Sequence, residues 1–177
     1  RALRRSAAAL GRARTVHTDG WQRDADGARR RWRTWSDGVR HRVESDAERM
    51  VFDGRRLFRY EADTRRLTVR RTSRAFAFVS SGPTVDDLQT DLRRWGWRDR
   101  IVFLPEAREN GRTRRRVRIE RDEPAGPVRV EIWVDPATDL PVRTETHLFA
   151  DGVWQVRAAQ RIVVDAPPPR DAFAPLR

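Results

Sequence analysis

The chain has 177 residues, 38% hydrophobic and 36% charged, and its 38 basic residues, all arginine, outweigh 26 acidic ones to leave +12. Seven Trp and seven Phe spread along the length argue against a disordered chain, since disordered sequences are poor in such residues. Cysteine is absent, which excludes disulfides and thiolate metal sites, and no apolar run approaches the ~18 residues of a membrane-spanning helix.

Residues 1–13 carry helix formers with Leu3, Ala7 and Leu10 at helical spacing, which predicts a short amphipathic leading helix. A first meander is expected over residues 15–79. Val16, Thr18 and Gly20 alternate with His17, Asp19 and Trp21, and a strand from Arg29 to Trp35 follows the turn Asp24-Ala25-Asp26-Gly27. His41 and Val43 continue the alternation, Asp53-Gly54 marks a hairpin after Met50-Val51-Phe52, and Leu57 to Tyr60 and Leu67 to Arg71 complete it. Ser81-Gly82-Pro83 then breaks the chain. Thr84 can cap a helix over 84–96, with Val85, Leu88, Leu92 and Trp95 on one face and Gly96 past its end.

A second meander is expected over 101–164. It comprises Ile101 to Leu104, the Asn110-Gly111 turn, Val117 and Ile119, the alternation Val128, Val130, Ile132, Val134, and a last strand from Val153 to Val164. That last strand places Trp154, Val156, Ala158, Ile162 and Val164 on one face. Between the two halves of this meander, Asp135-Pro136 ends one strand and Pro141 opens the next, where no ladder donor is needed. Residues 165–177, with Pro167-Pro168-Pro169 and Phe173, form an extended tail. The pattern predicts a mainly β single domain over residues 1–177, with about nine strands in a curved antiparallel sheet. One of its faces must be buried, and only the leading and mid-chain helices can cover it: either the sheet curls into a partial barrel that they plug or it splits into a sandwich, and a helix between two meanders favours the curled sheet. The native start is expected upstream of Arg1, so the lack of a signal peptide or anchor in these residues carries no information.

The arginines allow two readings, a nucleic-acid surface or a composition that writes Arg wherever a cation is tolerated. They are interleaved with acids, as in Arg118-Ile119-Glu120-Arg121-Asp122, rather than packed into one tail, which favours the second. Such a surface still attracts anionic headgroups or polyanions at low salt. Trp21, Trp32 and Trp35 in arginine-rich strands permit base stacking, but Arg stacking over Trp across neighbouring strands is the expected arrangement. His17, His41 and His147 lack a second ligand at metal spacing. Asp135 and Asp139 flank a turn and are expected to bind their own backbone, and Glu106, Glu109, Asp122 and Glu123 are expected to be exposed loop acids. There is no nucleophile elbow, P-loop, GxGxxG or HExxH motif. No enzyme, no metal and no cofactor are expected.

In their order and spacing, several segments resemble the bacterial lipoprotein-carrier superfamily: the LolA/LolB-like proteins, mycobacterial lipid-carrying lipoproteins and RseB-type regulators of envelope stress. They are "ARTVHTDG", "VFDGRRLFRYEADTRRLTVRR", "VEIWVDPATDLPVRTET" and "VRAAQRIVVDAPPPRDAFAPL". The resemblance covers nearly the whole chain. It implies an open half-barrel whose concave face, lidded by helices, holds acyl chains or senses a lipidated or misfolded partner. It further implies an exported domain, in the periplasm or on the outer face of the cytoplasmic membrane. On this reading the cavity and lid candidates are Val85, Leu88, Leu92, Trp95, Val130, Ile132, Val134, Trp154, Val156 and Ile162. The expected ligand is a lipid, a lipoprotein acyl chain or another apolar group, bound by a monomer. The alternative within the fold is the envelope-facing sensor of an anti-sigma-factor system, with a membrane-anchored protein partner. A basic nucleic-acid-binding β domain is the alternative outside it.

Overall fold

The computed structural model describes residues 2–72, 100–124 and 126–176. These residues are mainly β, with one helix and eleven antiparallel strands. They fall into two compact units.

One unit runs from Ala13 through the first meander and takes in the chain from Val163 onward. Its strands are β1 (Val16–Arg23), β2 (Arg29–Ser36), β3 (His41–Ser45), β4 (Glu48–Phe52), β5 (Arg56–Glu61) and β6 (Arg66–Arg71), each paired with the next. Short polar turns join them. Asp53 Oδ1, for instance, accepts hydrogen bonds from the amides of Arg55 and Arg56 at 2.9 and 2.7 Å. The register puts Val16, Thr18, Trp32, Thr34, Val43, Met50 and Phe52 on one face, all buried. Val51 and Phe58 are buried on the other, near the C-terminal tail, where Arg42 holds the carbonyls of Asp171 and Ala172 and Arg40 stacks on Phe173. The tail is tied down at its start too: Asp165 Oδ1 accepts from the amide of Arg14 at 2.8 Å, and the Asp165 amide donates to the Thr15 carbonyl.

The other unit holds α1 (Ala2–Gly11), β7 (Arg100–Glu109), β8 (Arg112–Glu123), β9 (Gly126–Val134), β10 (Pro141–Ala150) and β11 (Val153–Val164) as far as Ile162. The strands again pair in sequence order. Asn110 and Gly111 both adopt positive φ, 49° and 76°, the geometry of a tight two-residue hairpin turn. Leu3, Ser6, Ala7 and Leu10 form the buried stripe of α1.

β9 sets the pattern of this unit. Val128, Val130, Ile132 and Val134 are buried on one face, opposite Val117 and Ile119 of β8 and Thr144 of β10. The other face is closed by charge. Glu131 lies across from Arg118, accepts from Arg116 at 2.8 Å and from both Nε and Nη2 of Arg118 at 3.0 and 2.7 Å, and is itself buried. Arg116 and Arg143 stack on Trp133 from neighbouring strands, at 5.4 and 4.9 Å.

Three sequence expectations change. The described residues hold eleven strands rather than about nine; β3 and β4 are separate five-residue strands joined by a turn that Ser45 Oγ pins by accepting from the Glu48 amide at 3.1 Å. Glu106, Glu109, Asp122 and Glu123 are strand residues and not loop acids: the β7–β8 ladder extends from Arg100↔Glu120 to Glu109↔Arg112 and absorbs Pro105 in a bulge between Leu104 and Ala107, while Asp122 and Glu123 pair with Pro127 and Gly126 of β9. And β11 does not keep one face throughout, as described below. The helix expected over 84–96, with Val85, Leu88, Leu92 and Trp95, lies outside the described residues.

Burial pushes the Glu131 carboxyl up, but the hydrogen bonds and charges of Arg116 and Arg118 outweigh it and hold it below its ordinary value. Asp135 is likewise lowered, burial being outweighed by the Ala137 amide and Arg114. A carboxyl held lower in the folded chain adds stability that is complete above its unfolded pKa, about 4, and is lost as pH falls through the folded value. Replacing Glu131 by Gln should cost about 2 kcal/mol in urea unfolding at neutral pH. The variant should also lose less stability than the parent on acidification below about pH 4; an unchanged acid limb would rule out this role for Glu131.

Candidate functional site

Four of the sequence-predicted residues, Val130, Ile132, Val134 and Ile162, lie on one face of the α1-containing unit and are buried, at 6%, 0%, 5% and 4% exposure. Trp154 and Val156 do not join them. Thr146 pairs with Ala158 but His147 pairs with Val156, so Arg157 is an extra residue in β11 and reverses the alternation beyond it. Trp154 therefore sits across from Phe149 on the charged face, its ring 5.3 Å from that of Phe149 and under the Arg129 guanidinium at 3.8 Å. The single-face expectation for Trp154, Val156, Ala158 and Ile162 fails at this bulge.

The apolar face carries a cavity of about 230 Å³ beside α1. Ser6 of the helix, Phe103 and Leu104 of β7, Val117 of β8 and Val134 of β9 line it, with Glu106, Arg115, Arg116 and Asp139 among its polar residues. Phe103 and Ile101, on the same face of β7 as Val117 and Ile119, are 70% and 37% exposed and leave an apolar margin open to solvent. Ser6 Oγ is buried without a hydrogen-bond partner among the described residues. The cavity is smaller than the roughly 300–1,000 Å³ of drug-sized sites and suits a short length of alkyl chain.

The β9–β10 turn secures one end of this site. The Asp135 amide donates to the Leu140 carbonyl, the Asp139 amide to the Asp135 carbonyl, and Asp135 Oδ1 accepts from the Ala137 amide, each at 2.9 Å. Asp139, at φ 58°, pairs with Arg115 of β8 and, at 3.4 Å, with Arg5 of α1. The two aspartates thus brace the turn and tie it to the helix.

Sequence reading missed Ser6, Phe103, Leu104 and Val117 as lining residues. Val117 and Ile119 show alternation, but only the register sets them beside β9 and Phe103. The three histidines are engaged separately: His17 Nδ1 lies 2.8 Å from the Thr34 carbonyl and its ring stacks on Trp35, His41 stacks on Phe52, and His147 lies 3.4 Å from Glu145. Trp32 is buried on the face opposite Trp21 and Trp35, so the three Trp form no common stacking surface. Arg29 covers the Trp21 ring at 3.7 Å.

An antiparallel, sheet-dominated fold led by an amphipathic helix is shared with solved structures. Among solved structures it is shared with MucB, at 20% identity and TM-score 0.55 over 97% of this chain and 60% of that one. It is shared also with the Mycobacterium tuberculosis lipoprotein LppX, at 9% identity and TM-score 0.55 over 99% of this chain and 95% of that one. MucB in complex with the periplasmic part of MucA aligns at 21% identity and TM-score 0.46, over 97% of this chain and 57% of that one. This chain thus spans about 60% of MucB's length. No family model matches it, and no curated protein does.

Two substitutions probe the site's packing. Ser6→Ala removes an unpartnered buried hydroxyl and should leave stability unchanged or raise it by about 1 kcal/mol. Leu10→Ala, at a position 1% exposed, should cost about 2–5 kcal/mol. Thermal or urea unfolding of both measures them, and a marked loss in Ser6→Ala would show that the hydroxyl is engaged.

Proposed function

We propose that the chain is a non-enzymatic, exported cell-envelope domain that binds an apolar or lipidated ligand in the hollow of a half-barrel. The observation that carries this reading is the apolar cavity beside α1, lined by β7 and by the buried faces of β8 and β9, with the exposed Ile101 and Phe103 at its margin. The fold shared with LppX over 95% of that lipoprotein's length supports it. Alkyl chain buried there contributes about 0.8 kcal/mol per methylene. The ligand-facing residues in this proposal are Val130, Ile132 and Val134 together with Phe103, Leu104 and Val117. Val85, Leu88, Leu92 and Trp95 are the proposed lid. Trp154 and Val156 stay in the proposal only as a second apolar patch, on the opposite face.

A second reading, the envelope-facing sensor of an anti-sigma-factor system with a protein partner, is supported by the fold shared with MucB, a protein solved in complex with MucA.

Val134→Phe fills the cavity with apolar volume. Displacement of a fluorescent fatty acid from delipidated protein should weaken by about tenfold in this variant, equivalent to about 1.4 kcal/mol, with the fold retained by circular dichroism. Absence of fatty-acid binding in the delipidated parent would remove the carrier reading and leave the sensor.

A further inference from the structure

Ser6 is the polar member of the buried stripe of α1. It is 1% exposed, it lines the cavity beside the helix, and its Oγ has no hydrogen-bond partner among the described residues. A serine inside a helix usually turns its hydroxyl to solvent or to the carbonyl one turn back. Ser6 does neither, and a buried hydroxyl left unbonded costs stability. Alanine, the better helix former, would occupy the position without that cost.

The charges around the cavity decide what can meet this hydroxyl. Arg115 shares the face of β8 that carries Val117, and its Nη2 already donates to Asp139 and, at 3.3 Å, to the Pro136 carbonyl. Asp139 also pairs with Arg5, the neighbour of Ser6 in α1. Arg116 donates to Glu131 at 2.8 Å on the opposite face. Glu106 lines the cavity with no cation partner among the described residues. Both arginines of the lining thus hold carboxylates, and one carboxylate is left over. A free carboxylate or phosphate drawn inside would lose its water beside Glu106 with no unengaged cation to receive it. A plain hydrocarbon would leave the Ser6 hydroxyl unbonded. A neutral acyl carbonyl meets both conditions, because its oxygen accepts from the hydroxyl without bringing charge. The attached chain then lies against Phe103, Val117 and Val134.

We propose that the cavity takes the carbonyl end of a neutral acyl ester, and that Ser6 is the specificity-determining residue, donating its hydroxyl hydrogen to that carbonyl. This inference rests on the reading of the cavity as a site for apolar ligands. A free fatty acid enters tail first, keeps its carboxylate in solvent and does not use Ser6.

Three competitors of similar length, octane, methyl heptanoate and heptanoate, test it by displacing the neutral dye Nile red from delipidated parent and Ser6→Ala at neutral pH. Ser6→Ala should weaken the ester by about fivefold, the worth of one hydrogen bond, and leave octane and heptanoate unchanged. The infrared carbonyl stretch of the bound ester should move to higher frequency in Ser6→Ala as the hydrogen bond is lost. An unchanged ester, or equal loss for all three competitors, overturns the role of Ser6 while the cavity stands as an apolar site. Loss confined to heptanoate overturns it in favour of an anion. If none of the three displaces the dye from the parent, the apolar-ligand reading falls and this inference falls with it.

Discussion

Glu131 and Ile132 are neighbours in β9 that face opposite ways, and both are buried. A strand can bury residues on two faces only if each face has its own means of closure. On the Ile132 side that means is apolar: Val117, Ile119, Val130 and Val134 with the stripe of α1. On the Glu131 side it is ionic, since a desolvated carboxylate is tolerable only when charge and hydrogen bonds are supplied to it. Arg116 and Arg118 supply both, and the guanidinium groups of Arg116 and Arg143 cover Trp133 as well. The high arginine content thus has a structural role on the second face of the sheet, where other proteins place apolar residues.

How far this was visible in the sequence differs between the two faces. The alternation Val128-Val130-Ile132-Val134, the Asn110-Gly111 turn and the leading stripe Leu3-Ala7-Leu10 carry strong local signals, and the corresponding elements form where those signals lie. The Asp135 carboxylate binds its own backbone, as its placement before Pro136 suggested, whereas that of Asp139 pairs with Arg115 and Arg5 instead. What had no local signal was register. The bulge at Arg157 shifts Trp154 and Val156 to the charged face, and nothing in VWQVRAAQRIVV distinguishes a bulged strand from a regular one. The cavity was hidden for the same reason, because Ser6, Phe103 and Val134 are far apart in the chain and only cross-strand pairing assembles them. Strand length was underestimated wherever charged residues fill β7 and β8, since a ladder closed by ion pairs does not look like a strand in a hydropathy pattern.

The apolar cavity belongs to the α1-containing unit alone. Its lining combines Phe103, Leu104, Val117 and Val134 with the buried Nε–H groups of Arg115 and Arg116, which like the Ser6 hydroxyl have no hydrogen-bond partner among the described residues.

Pro105 has a consequence for assembly. β7 closes the strand order on its side among the described residues, and β6 closes it on the other. An open ladder margin is a template on which a further strand, from the same protein or another, can grow. In β7 the missing amide of Pro105 and the bulge up to Ala107 interrupt that template and split the regular register into Arg100–Leu104 and Ala107–Glu109. β6 is guarded in another way, by Arg66, Arg70 and Arg71, whose like charges repel a second copy of the same strand. Runaway strand stacking between copies is thereby discouraged at both margins.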